Sequence, residues 1–502
     1  MMFSHRCKTT FLLAAGSVLA MSAAATAETV KLTILGVGDV YSFEEEDGRG
    51  GFARLNAVAL AERAANPNTL YLFDGDMLSP SLQSGFDKGQ NTIDFTNLVP
   101  FDLAVPGNHE FDFGPENFIE KMKASKYPWA AINISNADGR PIEGLGGVMM
   151  KEVGGLKVAL IPVAQDTSPE VSSTGSLVFL PTVETGVAAA KKAREDGADI
   201  VVGVVQTNMD NDRKLMASKA FDVILSGDDH SYATAYDGVT AYVETSIDGQ
   251  YLSPVDLMVE VGDKDGKRTI SWTPVFRFID TAAVVPHPES KALADDYRAK
   301  LDQTLNVEIG TTETALDSRR NVVRTGEATM GNLIADGMRD ATGAQVAIMN
   351  GGGIRGDRTY DAGAKLTRRD ILTELPFGNV SVVTELPGSQ ILLALENGVS
   401  QVEKGSGRFP QVSGLMDPTA EPGSRVSDVM VGDAPLQPDV VYTVVVNDYI
   451  LGGGDGYAAL GGGKIVTDGP TSSLVANDVM AYVEKLGTIK PAVEGRIKVL
   501  GQ

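Results

Sequence analysis

Short apolar strands that each end in a polar cluster constrain this chain more than any other feature. Val30 to Leu35, Leu70 to Phe73, Phe101 to Val105, Val158 to Val163, Ile200 to Val205 and Phe221 to Leu225 read as strands. Helical patterns at Phe52–Ala65 and Val183–Glu195 fall between them. Apolar strands alternating with helices predict an α/β sheet covered on both faces. The clusters that follow the strands are Gly38-Asp39, Gly75-Asp76, Gly107-Asn108-His109-Glu110, Gln206 and Gly227-Asp228-Asp229-His230. In such sheets, sites form at the carboxyl ends of the strands. One such cluster is an ordinary turn, whereas five of them, rich in Asp, Asn and His, point to a single shared site.

A length of 502 residues predicts at least two domains. The second unit follows a polar helical stretch, Glu289 to Leu305, and has its own pattern: a helix over Thr329–Thr342 and strands over Ala344–Met349 and Tyr442–Val446. The expected division is a signal peptide over 1–27, a first domain over 28–288, a connecting helix over 289–310 and a second domain over 311–502. The leader is read from Arg6 and Lys8 before the apolar run Thr10 to Ala23, followed by Ala25-Thr26-Ala27 as the cleavage site. This predicts a secreted, periplasmic protein without stable membrane insertion. Cleavage would take the net charge from -23 to -25, remove Cys7, and leave His109, His230 and His287. One cysteine and four histidines exclude a disulfide scaffold, a zinc finger and an iron–sulfur protein. So acidic a chain does not bind nucleic acid polymers or anionic membranes by bulk charge.

Asp39, Asp76, Asn108 and His230 are hard oxygen and imidazole donors. Such a set suits two divalent cations about 3.5–4 Å apart, which clamp a phosphoryl group and activate water. His109, with Asp112 three residues on, supplies an imidazole for the leaving oxygen and a carboxylate to orient it.

Gly75-Asp76, Gly107 to Asp112 and Gly227 to His230, in this order, resemble the calcineurin-like metallophosphatases. Met330-Gly331-Asn332, Asn350 to Arg355, Pro376-Phe377-Gly378-Asn379 and Gly453 to Gly456 resemble the C-terminal domain of secreted 5'-nucleotidases. The resemblance implies a layered α/β/β/α metallophosphatase domain plus a smaller α/β nucleoside-binding domain. It implies metal-dependent hydrolysis of a nucleotide, a small-molecule substrate, to nucleoside and phosphate. It places Asp39, Asp76 and His230 at a first metal and Asp76, Asn108, Gln206 and Asp228 at a second. His109 and Asp112 are the implied catalytic pair. Arg324 and Arg355 are implied for the phosphate, Phe377 and Tyr449 for stacking on the base, and Asn350 and Asp455 for the nucleoside hydroxyls.

The chain departs from that family at three positions where histidine is expected and Tyr41, Gln206 and Asp228 stand. Position 206 is the least fixed, with Thr207 and Asn208 as neighbours. Carboxylate and amide oxygens favour Mn²⁺ or Mg²⁺ over Zn²⁺. Tyr41 either ligates as phenolate or fills the space of a lost ligand. Two alternatives remain: a catalytically impaired nucleotide-binding protein, and a hydrolase of cyclic nucleotides or nucleotide sugars.

Overall fold

The strand Glu28–Val37 organises the N-terminal unit in the computed structural model, which describes residues 28–264, 267–411, 414–416, 420–466 and 473–499. The leader expected over residues 1–27 lies outside the described residues. The strand pairs in parallel with Thr69–Phe73, which pairs in parallel with Leu103–Ala104. Its other edge takes the antiparallel hairpin Val255–Lys264 and Lys267–Phe276. The second sheet is six-stranded, in the order Tyr232–Tyr236, Ala241–Thr245, Val223–Gly227, Ile200–Gln206, Leu156–Val163 and Met149–Val153.

Two-residue alternation sorts the side chains between layers. Leu32, Ile34, Leu70 and Leu72 face Val202, Val204, Leu225 and Val243 between the two sheets. Leu35, Val37, Tyr71 and Phe73 point the other way, into a core with the helices Phe52–Ala65, Gln90–Thr96, Pro115–Ala124 and Pro288–Leu305. Val163, Val201 and Val205 face the helices Thr182–Glu195 and Met209–Ala217 on the far side. Both sheets are therefore hydrophobic on both faces, which gives the α/β/β/α layering.

The hairpin Val255–Phe276 was not anticipated from the sequence. Its outer strand, Lys267–Phe276, alternates exposed and half-buried residues and contains Pro274, so it carries little apolar signal. The helix expected to connect the domains runs Pro288–Leu305. By its packing it is allied with the N-terminal unit: Ala294, Tyr297 and Leu301 join that core, and Tyr297 Oη donates to Asp94 Oδ2 at 2.6 Å. His287 caps its start, its ring accepting from the Ser290 amide.

The C-terminal unit is built on a five-stranded mixed sheet in the order Pro410–Gln411, Val346–Asn350, Val441–Asn447, Ser381–Pro387 and Lys464–Ile465. Helices Thr329–Thr342 and Val475–Leu486 cover one face and Gly388–Val399 the other. No helix among the described residues is long and apolar enough to cross a membrane.

Candidate active site

The polar clusters at the strand ends meet where the two sheets of the N-terminal unit face the C-terminal unit. Asp39, Asp76, Asp228 and His230 all adopt positive φ, at 52°, 67°, 106° and 57°. L-residues pay for that backbone conformation unless their surroundings enforce it. Here hydrogen bonds enforce it. The Asp39 amide donates to Gly75 O at 2.8 Å, the Asp228 amide to Asp39 Oδ2 at 2.9 Å, and the His109 amide to Asp76 Oδ1 at 2.8 Å. A methyl on Gly107 would lie 2.2 Å from Asp76 Oδ1, so only glycine lets that loop approach so closely.

Glu110 fixes two of these loops at once. Its carboxylate accepts from the amides of Asp76 at 2.9 Å, Met77 at 2.8 Å, Leu78 at 3.2 Å and Gly107 at 2.6 Å. In the sequence Glu110 carries no signal for this role beyond its place in the Gly107 to Asp112 motif. Adjacent to it, His109 Nδ1 lies 2.6 Å from Asp112 Oδ2, as expected for an oriented imidazole, and Ser172 Oγ donates to Asp112 Oδ1 at 2.8 Å. Ser172 was missed because an isolated serine in a loop carries no sequence signal.

Several of the donor residues are in direct contact. Tyr41 Oη lies 3.2 Å from Asp39 Oδ1 and 3.0 Å from His230 Nε2, and those two atoms are 3.8 Å apart. Three ligands of one cation at about 2.1 Å would have edges of this size. Gln206 Nε2 lies 2.7 Å from Asp76 Oδ2 and 3.4 Å from Asp39 Oδ1, while its Oε1 is buried without a partner. Asp228 Oδ2 accepts from Gln165 Nε2 at 3.2 Å, and Asn108 faces the adjoining cavity. Thr207 and Asn208 do not compete with Gln206: Thr207 Oγ1 bonds Asn211, and Asn208 caps the next helix. Among the described residues no three His, Cys, Asp or Glu side chains form a ready metal cage; a phenol and an amide stand between the carboxylates and the imidazole.

The electrostatics also fit a cation. Asp39, Asp74 and Asp76 are at most 1% exposed. Burial, with the Asp228 charge adding, pushes the Asp39 carboxyl up to about 8. Burial, with Glu110 and Asp39 adding, pushes Asp76 well above the usual carboxylate range. Burial takes Asp228 up to about 6 and His230 down to about 4. Clustered buried carboxyls without a lysine or arginine partner must hold protons or bind a cation. The donor set of carboxylates, amide oxygens, a phenol and one imidazole fits a hard divalent ion.

Across from these loops, the C-terminal unit contributes the other wall of a cavity of about 370 Å³. It is shared by Asn108, His109 and Asp112 from one side and Arg324, Arg355, Phe377, Tyr449 and Asp455 from the other. The Phe377 ring lies 6.5 Å from that of His109, nearly parallel at 14°, and the Arg355 guanidinium carbon lies 5.2 Å over its face. Phe377 and Tyr449 line the cavity without a ring contact between them among the described residues. Asn350 donates to Asp455 Oδ2 at 2.8 Å and accepts from Asn447 Nδ2 at 2.8 Å, which fixes its amide. Arg324 Nε is buried without a partner, and burial, with Arg320 and Arg355 adding, lowers its guanidinium to about 10. Among the described residues the Arg355 side chain makes one long hydrogen bond, to Gly352 O at 3.4 Å. Among the described residues these arginines lack the acceptors that such groups take when they are structural. Arg408, absent from the sequence-based set, lines the same cavity.

Comparisons with known proteins agree with this layout. The calcineurin-like phosphoesterase family matches residues 32–232, and the family of 5'-nucleotidase C-terminal domains matches residues 308–462. Human 5'-nucleotidase is 29% identical over 98% of this chain and 94% of its own length. A trifunctional nucleotide phosphoesterase of Bacillus subtilis is 29% identical over 93% of this chain, which spans 35% of that longer protein. The structure of a 5'-nucleotidase precursor from Thermus thermophilus superposes with a TM-score of 0.77 at 26% identity, covering 94% of this chain and 100% of the other.

Proposed function

From a chain that belongs to the family joining a calcineurin-like phosphoesterase to a 5'-nucleotidase C-terminal domain, and so hydrolyses nucleotide phosphate esters, we infer a division of labour between its two units. The N-terminal unit cleaves the 5'-phosphate ester, and the C-terminal unit holds the nucleoside. The observation that carries this is the shared cavity, in which the oriented His109 and the under-partnered Arg324 and Arg355 face one space. Asp39, Tyr41, Asp76 and His230 would hold one divalent cation, and Asp76, Asn108, Gln206 and Asp228 a second. When bound, the cations supply Lewis acidity to the phosphoryl group and to the attacking water.

The protein's own groups do the rest. Arg324 and Arg355 bind the phosphate oxygens and take up charge as the ester breaks. His109, held by Asp112 and Ser172, meets the leaving 5'-oxygen with a proton. Phe377 and Tyr449 offer flat apolar faces to the base, and Asn350 and Asp455 offer polar groups to the ribose. The expected leader supports a secreted, periplasmic location.

Oxygen donors support Mn²⁺ or Mg²⁺ over Zn²⁺. The test is metal analysis of the purified protein together with phosphate release from AMP across a metal series. Activity with Mn²⁺ or Mg²⁺ that is lost to chelator is expected. Tight stoichiometric zinc would overturn the metal assignment. Absence of turnover with every divalent metal would leave a nucleotide-binding protein, a reading favoured by the Tyr41 and Gln206 hydrogen bonds that already bridge the donors.

A further inference from the structure

Arg408 is a cation in the cavity that the chemistry above does not use. Its Nε is buried without a partner, and its Nη1 has only long contacts, at 3.4 Å, to Asn397 Oδ1 and Ser400 Oγ. It forms no ion pair among the described residues. Arg425, in the same unit, shows what a structural buried arginine looks like here: it donates to Ala420 O, Val399 O and the Glu403 carboxylate at 2.8–2.9 Å. A guanidinium has five N–H donors and no way to shed its charge, so one left open on a cavity wall offers donors to the acceptors of a ligand.

The backbone presents Arg408 from a fixed base. Gly352 N donates to Gly407 O at 2.7 Å, and Gly351 N to Phe409 O at 2.7 Å. Tyr457 Oη donates to Arg408 O at 2.5 Å, and Phe409 is fully buried. Its place in the cavity is also fixed. A methyl on Gly407 would lie 3.8 Å from Asp455 Oδ2, and one on Gly456 would lie 3.6 Å from Arg408 Nη1. Arg408 therefore stands against the Asp455 turn, whereas Arg355 stands over Phe377 beside His109. Arg408 and Arg355 thus stand on different parts of the cavity wall, and a nucleoside monophosphate supplies one phosphate.

We propose that Arg408 forms a second acceptor subsite, so that the protein takes nucleotides carrying an anionic or paired-acceptor group on the nucleoside itself, remote from the 5'-phosphate. This rests on the reading of the cavity as a nucleoside site. Two sources share the required chemistry: a phosphate on the ribose 3'-oxygen, and the O6/N7 edge of guanine, which matches the guanidinium fork.

Calorimetry with adenosine, adenosine 3'-monophosphate and guanosine separates them, on the wild type and on R408M and R408K. The reading is the affinity of each ligand relative to adenosine in the same protein. In the wild type at least one of the two binds about tenfold or more tighter than adenosine, and in R408M that ratio falls to about threefold or less. Lysine keeps the charge but loses the fork, so R408K retains a 3'-phosphate preference and loses a guanosine preference. Ratios near one for both ligands in the wild type, or a preference that survives in R408M, would overturn the proposal. If nucleosides bind without an Arg408-dependent preference, only this inference falls. If none of the three ligands binds, the nucleoside reading falls and takes this inference with it.

Discussion

Glu110 spends all its hydrogen-bonding capacity on the backbone. Four amides from two loops converge on its carboxylate, and a glutamine there would turn half of that acceptor into a donor facing donors. E110Q should therefore lose about 2–4 kcal/mol of stability by denaturant unfolding, with metal content falling alongside. A variant as stable as the wild type would remove the clamp from this account. His109 is expected to act on rate: H109A should lower kcat by about 10²–10⁴ while bound metal is retained. Loss of metal in H109A would make His109 a ligand instead. F377A or Y449A should weaken adenosine binding by about 1–3 kcal/mol in calorimetry. Unchanged affinity in both would remove the stacking role. At this scale the sequence was legible where chemistry is contiguous, as in Gly107 to Asp112. Ser172 and Arg408 were illegible because each sits in a small-residue loop and gains meaning only from what folding brings beside it.

The strand Ala241–Thr245 and the helix Met209–Ala217 carry a second layer of buried acid beneath the site. Tyr242 Oη lies 2.6 Å from Glu244 Oε2 and 2.9 Å from Asp212 Oδ2, and Ser226 Oγ donates to Asp212 Oδ1 at 2.8 Å. Burial, with Asp212, Asp39 and Asp74 adding, pushes Glu244 from 4.5 up to about 9. Between those values the unfolded chain releases a proton that the folded chain keeps. Stability is therefore full below about 4.5 and falls as pH rises toward about 9. E244Q cannot titrate, so its stability relative to the wild type should rise by about 1–3 kcal/mol between pH 5 and pH 8. A difference that does not change with pH would show that the carboxyl is ionised in the folded state. The strand beside Ala241–Thr245, Val223–Gly227, was legible because the run Phe221 to Leu225 is almost wholly apolar, but Ala241–Thr245 itself is too short and mixed a run to read as a strand. The hairpin Val255–Phe276 was not legible either, because its outer strand is a half-exposed edge whose alternation is diluted by Thr, Ser and Arg.

Two units share one cavity, so their approach is part of the chemistry. At Gly85 the backbone of the N-terminal unit meets that of the C-terminal unit, and a methyl there would lie 2.9 Å from Pro376 O, one residue before Phe377. G85V should hold the units apart: kcat/KM for AMP should fall by about tenfold or more while each unit unfolds as before. Unaltered kinetics would mean that closure does not depend on this contact. The sequence indicated two units but not this contact, because a glycine between Ser84 and Phe86 looks like any helix-flanking residue until its neighbour across the cleft is known.

The backbone clamps around Glu110 and the amide bonds to the Asp39 and Asp76 carboxylates have a consequence for ancestry. In a protein whose loops are shaped by their ion, exchanging a ligand unravels the loop, and descendants of that exchange do not persist. Here main-chain bonds shape the loops, so exchanging the side chain at 41, 206 or 228 would leave the frame in place. A chain built this way could change the ion it takes without first risking its fold.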